Sequence, residues 1–88
     1  MTTEQKNVTG TDLTALVTAI YRQALSDDTL DADADFFENG GDSLAAFQVT
    51  ARLQEELGID LPVALVFSYP TPAELAGVVD ADLAGRVG

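Results

Sequence analysis

The stretch FFENGGDSLAAFQ, Phe36 to Gln48, gathers the residue types from which chemistry could be built: two glycines, an aspartate and Ser43, ahead of an apolar segment of helical character. A serine hydroxyl at its ordinary pKa is a weak nucleophile and needs a neighbouring base. The chain has no histidine and no cysteine, and its one lysine, Lys6, stands in the N-terminal segment. A Ser-His-Asp relay cannot be assembled from such a set. Any base that acts on Ser43 must come from another protein, which makes the residue a site of modification and the chain a non-catalytic one.

Taken alone, Ser43 also reads as a helix N-cap. Two features point past that role. Asp42 already offers a capping side chain one residue earlier, and Gly40 and Gly41 bare the backbone just ahead. A helix start presents N–H groups without intrahelical partners and the positive end of the dipole, so a phosphate ester on Ser43 would be electrostatically favoured there.

The acids before this corner imitate a calcium loop, with Asp31, Asp33, Asp35 and Asp42 at its positions 1, 3, 5 and 12. The imitation fails where geometry is strictest. Phe36 stands at the glycine position, and Asp42 is shorter than the bidentate glutamate. No metal site is expected, and these acids, with Glu38, Glu55, Glu56 and Asp60, read as a solvated field that steers basic partners.

The elements that position the serine follow from periodicity. Leu13, Leu16, Val17, Ile20, Tyr21, Ala24 and Leu25 form the stripe of an amphipathic helix entered through a Thr11 or Asp12 cap. Residues 1–10 carry no such pattern and read as a frayed tail ahead of a domain spanning 11–87. Residues 26–42 are rich in turn formers, with Leu30, Phe36 and Phe37 as expected anchors; an unstructured connection of this length is expected to be functional or mobile. A second helix is predicted from about Ser43 to Leu57, stopped by Gly58. Pro62 opens a short helical turn through Phe67, closed by Pro70. Thr71, Pro72 and Glu74 form a capping box that starts the last helix at Pro72. The fold class is therefore all-α, a small four-helix bundle with three longer helices and one short third helix.

In the second helix, Ala46, Val49, Thr50, Leu53 and Leu57 make a core stripe, yet Leu44, Phe47 and Ala51 lie on nearly the opposite side. That second stripe is expected to face water as a docking surface, against the plainer reading of scattered surface hydrophobes or a Phe47 folded over a thin core.

Composition sets the outer bounds. With 88 residues, 47% of them apolar, there is room for one small domain without a disulfide staple. Fifteen acids against four basic residues give a formal charge of −11, which repels nucleic acid and anionic lipid. The polar start has neither the charged nor the apolar region of a secretory signal, and no apolar run is long enough to cross a bilayer. A cytoplasmic monomer is expected.

With those readings in place, DADFFENGGDSLAAFQVTARL resembles the core motif of carrier proteins of thiotemplated biosynthesis, and LPVALVFSYPTPAELAGVV is similar to their third and fourth helices. The likeness spans about Thr11 to Val87. It implies a four-helix bundle of the acyl-carrier type whose motif serine, here Ser43 flanked by Gly41, Asp42 and Leu44, receives a 4'-phosphopantetheine arm from coenzyme A. A phosphopantetheinyl transferase would bring magnesium and the base. The arm's thiol would hold an acyl or aminoacyl group as a thioester. By the same likeness Leu44, Phe47 and Ala51 face partners, with Val63 and Val66 contributing from the third helix. GGDSL looks more like the peptidyl carriers of nonribosomal peptide synthesis than like fatty-acid or polyketide acyl carriers. This implies loading by an adenylation enzyme, or by an acyl transferase in the acyl-carrier alternative. Condensation, ketosynthase, tailoring or thioesterase enzymes would then act on the cargo. The initial methionine and tagless start suggest a freestanding carrier. A rival from another class is an acidic helical adaptor that binds a partner through Leu44 and Phe47 without modification.

Overall fold

The computed structural model describes residues 10–86, which form four helices: α1 Gly10–Leu25, α2 Ser43–Leu57, α3 Ala64–Ser68 and α4 Pro72–Arg86. The described residues contain no strand, and no helix among them is long and apolar enough to cross a membrane. The expected tail lies outside the described residues except for Gly10, as does Val87 at the other limit.

Gly10 opens α1, so the helix starts ahead of the expected Thr11 or Asp12 cap. The other end is sharply defined. Ser26 adopts a left-handed conformation at φ 54°, and the Asp27 N–H reaches back to the Arg22 carbonyl at 3.0 Å. This reversal is usually made by glycine.

α1 packs chiefly against α4 and secondarily against α2. Leu13, Val17, Ile20 and Tyr21 from α1 meet Ala46, Val49 and Leu53 from α2 and Leu75, Ala76 and Val79 from α4 in one buried core. Burying a side chain of this size contributes about 1.5–3 kcal/mol, so the periodic stripe is what assembles the bundle. Leu57, expected in the core, is half-buried at its edge. α4 starts where its cap signal predicts, with the Glu74 N–H donating to Thr71 Oγ1 at 3.1 Å. The short turn is displaced slightly from 62–67: Leu65 and Val66 N–H groups bond the Pro62 and Val63 carbonyls, and regular helix begins at Ala64.

The 26–42 segment is more ordered than the expected unstructured connection. Asp27, Asp31 and Asp35 each fold their carboxylate onto N–H groups two or three residues ahead, at 2.8–3.0 Å. Such Asx turns let aspartates shape a chain that buries little. Three tethers then pin it to the bundle: Arg22 Nε donates to the Leu30 carbonyl at 2.7 Å, the Ala73 N–H to Ala32, and the Phe36 N–H to Pro70, both at 3.0 Å. Leu30 and Phe36 are buried as expected. Phe37 is not an anchor: it is 40% exposed and stacks on Phe67 of α3, ring centroids 5.5 Å apart and 12° from parallel. Phe36 fills the core site, and the tight turn closed by the Asn39 N–H on the Asp35 carbonyl carries the next residue round to the outside.

Tyr21 is fully buried, and its phenol donates to the Pro70 carbonyl at 2.8 Å. Burial, followed by the nearby charges of Asp35 and Glu74, pushes its pKa well above the ordinary tyrosine value. In the unfolded chain the phenol ionises near pH 10, while the native state keeps the proton. Tyr21 therefore contributes fully to stability below about pH 10, and its contribution declines as the pH rises further. Tyr21→Phe is expected to cost about 1 kcal/mol at neutral pH. It should also flatten the loss of urea stability above about pH 10; an unchanged alkaline slope would remove Tyr21 as its source.

Candidate functional site

The site is assembled by a turn and a cap. Gly40 sits at φ 96°, a conformation that side chains oppose. The Gly41 N–H donates to the Phe36 carbonyl at 2.8 Å and the Gly40 N–H to that of Phe37 at 3.3 Å. Gly41 is required for space. A Cβ there would lie 2.6 Å from the Phe36 carbonyl oxygen and would also enter the Phe36 ring. That ring is locked in the core edge-on to Tyr21, at 5.4 Å.

Beyond the turn, Asp42 is the N-cap of α2. Its backbone is extended, its Oδ1 accepts from the Ala45 N–H at 2.9 Å, and its carbonyl accepts from Ala46 at 2.9 Å. Ser43 is the first residue of the helix and is exposed. Because Asp42 does the capping, the Ser43 hydroxyl has no such duty. The helix offers no internal acceptor to the N–H groups of Ser43 and Leu44, so a phosphate ester on that oxygen meets two donors and the positive dipole end. The residues thus fit a phosphate-linked group. The same turn carries Asp35, Glu38 and Asp42, an acidic setting for whatever approaches.

The second stripe faces solvent: Leu44 is 67% exposed, Phe47 59%, and Ala51 is exposed too. Phe47 and Ala51 line a shallow groove of about 210 Å³ with Thr50, Gln54, Leu61 and the half-buried Val63. Val66 does not join them. At 1% exposure it belongs to the core, because a five-residue helix needs one inward apolar contact and Val66 supplies it. What the sequence reading missed is Phe67 and Tyr69, both partly exposed. The signal was present: α3 carries too many large apolar side chains for so short a helix to cover.

The aspartates spaced like a calcium loop are not gathered into a ligand set. Asp31, Asp35 and Asp42 each hold local N–H groups, and the described residues contain no cluster of three metal-ligating side chains.

Residues 12–79 match the family described as "Phosphopantetheine attachment site". The chain is 37% identical over 71 residues to a component of the linear gramicidin synthase of Brevibacillus parabrevis, a match covering 81% of this chain and 1% of that protein. It therefore spans only a small fraction of its curated relative. Among solved structures, it resembles a free-standing peptidyl carrier protein from Acinetobacter baumannii, with TM-score 0.82, 25% identity and coverage of 88% of this chain and 99% of that one. It also resembles a peptidyl carrier protein solved with coenzyme A and the phosphopantetheine transferase Sfp. There the TM-score is 0.74 and the identity 28%, covering 78% of this chain and 90% of that one.

The packing at Gly41 makes a direct prediction. Gly41→Ala should cost about 2 kcal/mol in urea unfolding, in the range typical of forcing a methyl into a filled interior. An alanine variant as stable as the parent would mean that the Phe36 ring gives way easily.

Proposed function

The chain belongs to the family of carrier domains built around a phosphopantetheine attachment site, and on that premise we propose that Ser43 is the residue that takes the 4'-phosphopantetheine group. The observation that carries this reading is the placement of its hydroxyl: exposed, first in its helix, and relieved of capping by Asp42. In the transfer the Ser43 oxygen attacks the coenzyme A phosphorus that bears the pantetheine. A phosphodiester forms, the bond to adenosine 3',5'-bisphosphate breaks, and the serine proton passes to a base. The chain has no histidine for that step, and one Asp42 oxygen is committed to the Ala45 N–H. The base is therefore assigned to the transferase.

This chain's own residues present and orient. Gly41 lets the turn close on Phe36, Asp42 holds the helix start, and the N–H groups of Ser43 and Leu44 favour the phosphodiester charge. Once attached, the group supplies a thiol that carries an acyl or aminoacyl cargo as a thioester. The similarity to peptidyl carriers supports a role in nonribosomal peptide assembly, and we take the carrier unit to span 11–87 and to act in the cytoplasm. Loading falls to an adenylation enzyme, and condensation, tailoring or thioesterase enzymes act afterwards. Leu44, Phe47 and Ala51, with Val63 beside them, form the face that meets these enzymes.

Incubation with coenzyme A and a broad-specificity phosphopantetheinyl transferase should add one phosphopantetheinyl unit to the intact mass, and Ser43→Ala should abolish the addition. An unmodified wild-type protein would overturn the assignment. An adaptor that binds without modification predicts instead that Ser43→Ala changes nothing.

Phe47→Asp tests the docking face. Removing an exposed ring should change the unfolding free energy measured in urea by about 0.5 kcal/mol or less, while aminoacyl loading slows about tenfold. Unfolding of the variant would return Phe47 to the core.

A further inference from the structure

A second apolar surface lies off α2. Phe37 and Phe67 stack nearly in parallel, one from the loop and one from α3, and each remains about two-fifths exposed, 40% and 44%. Phe36, which touches Phe37 edge-on, fills the core. The outer pair is thus left as a partly exposed aromatic stack, a platform bridging the loop and α3.

Its neighbours limit what can cover it. The Asp35 carboxylate accepts from the Phe37 and Glu38 N–H groups at 2.8 and 3.0 Å, so one acid is held against the platform's edge. Glu38 is exposed beside it, and Asp42 lies on the same turn. In a chain of net charge −11, a second copy, an anionic lipid surface and a nucleic acid would each bring more negative charge to this rim. The complementary occupant is a protein surface with apolar side chains inside a ring of lysine or arginine.

Position narrows the choice of enzyme. Phe36 and Phe37 belong to the turn closed by the Gly41 and Gly40 N–H groups, directly ahead of Ser43. An enzyme that works on a tethered thiol can stand off by the length of the arm. One that activates the serine oxygen itself must lie against this turn. Resting on the reading of Ser43 as the attachment residue, we propose that the Phe37–Phe67 platform and its Asp35–Glu38 rim form a docking surface for the phosphopantetheinyl transferase, separate from the Phe47 face of α2.

The test is steady-state modification of the full chain by a broad-specificity transferase with coenzyme A. Phe37→Ser and Phe67→Ser should each raise KM for the carrier about tenfold, as loss of a buried aromatic contact does, with kcat within about twofold of wild type. Phe37→Tyr, which keeps the ring, should stay near wild type. Added salt should raise the wild-type KM, and Glu38→Gln should weaken that dependence. Circular dichroism and melting are measured alongside. If Phe37→Ser fails to fold, Phe37→Leu replaces it, with a KM increase still expected from loss of the ring and its stack on Phe67. Unchanged KM in folded variants, or a fall in kcat alone, would overturn the proposal, the latter showing that the stack only sets the serine's position. Failure of the wild type to be modified would overturn this proposal and the Ser43 assignment together, whereas normal modification of all variants overturns this one only.

Discussion

The Pro70 carbonyl accepts two hydrogen bonds from segments remote in sequence, the Tyr21 phenol at 2.8 Å and the Phe36 amide at 3.0 Å, and the placement of Ser43 depends on both. Through them α1, the long loop and the junction of α3 with α4 share one acceptor. Phe36 then passes the constraint onward: its ring packs on Tyr21, and its carbonyl receives the Gly41 N–H at 2.8 Å. From Gly41 to Ser43 is two residues. Buried polar groups must be paired to be tolerated, so this junction specifies one arrangement of the loop over the alternatives that its composition would allow.

The division of labour between core and turn follows from that arrangement. On the proposed reading, a serine that another protein must reach has to be held firmly and left uncovered. The bundle meets the first demand through Phe36, and the second by giving the capping role to Asp42. Had Ser43 itself capped α2, its oxygen would have been committed to a backbone N–H and turned toward the helix. The acids on the same turn do not stabilise a phosphodiester; like charges oppose it. On the same reading they would attract cationic surfaces, while the helix N–H groups would accommodate the charge that is added.

Much of this was legible in the residues, and the misses share a cause. The limits of α2 and the start of α4 follow from local chemistry: an aspartate cap, a left-handed Gly58 and the Thr71–Pro72–Glu74 start. The exposure of Leu44 and Phe47 follows from angular position alone, because a helix in a thin bundle has only one side covered. What failed were choices between adjacent apolar residues. Phe36 and Phe37 are equally hydrophobic, and only the Pro70 and Gly41 contacts decide which turns inward. Val66 and Phe67 present the same ambiguity in α3, where fewer than two turns give no periodicity to read. The loop appeared unstructured because it lacks apolar spacing, yet its order comes from aspartate-to-backbone bonds, which hydrophobic patterning cannot register.

Those two ambiguous pairs resolve in a correlated way. Phe36 and Val66 go inward, and their sequence neighbours Phe37 and Phe67 come out and meet each other. The loop is therefore joined to this part of the bundle twice, once through Pro70 at the α3–α4 junction and once on the surface through the stack on α3. A small domain with little core to spare gains from burying large aromatics, and leaving two of them two-fifths exposed forgoes part of that gain. Their mutual contact recovers some of it, but both rings remain partly in water. The same holds for Leu44 and Phe47 on α2. Apolar side chains that water touches in the free chain, placed around the hydroxyl proposed as the attachment point, make physical sense if other proteins cover them in turn.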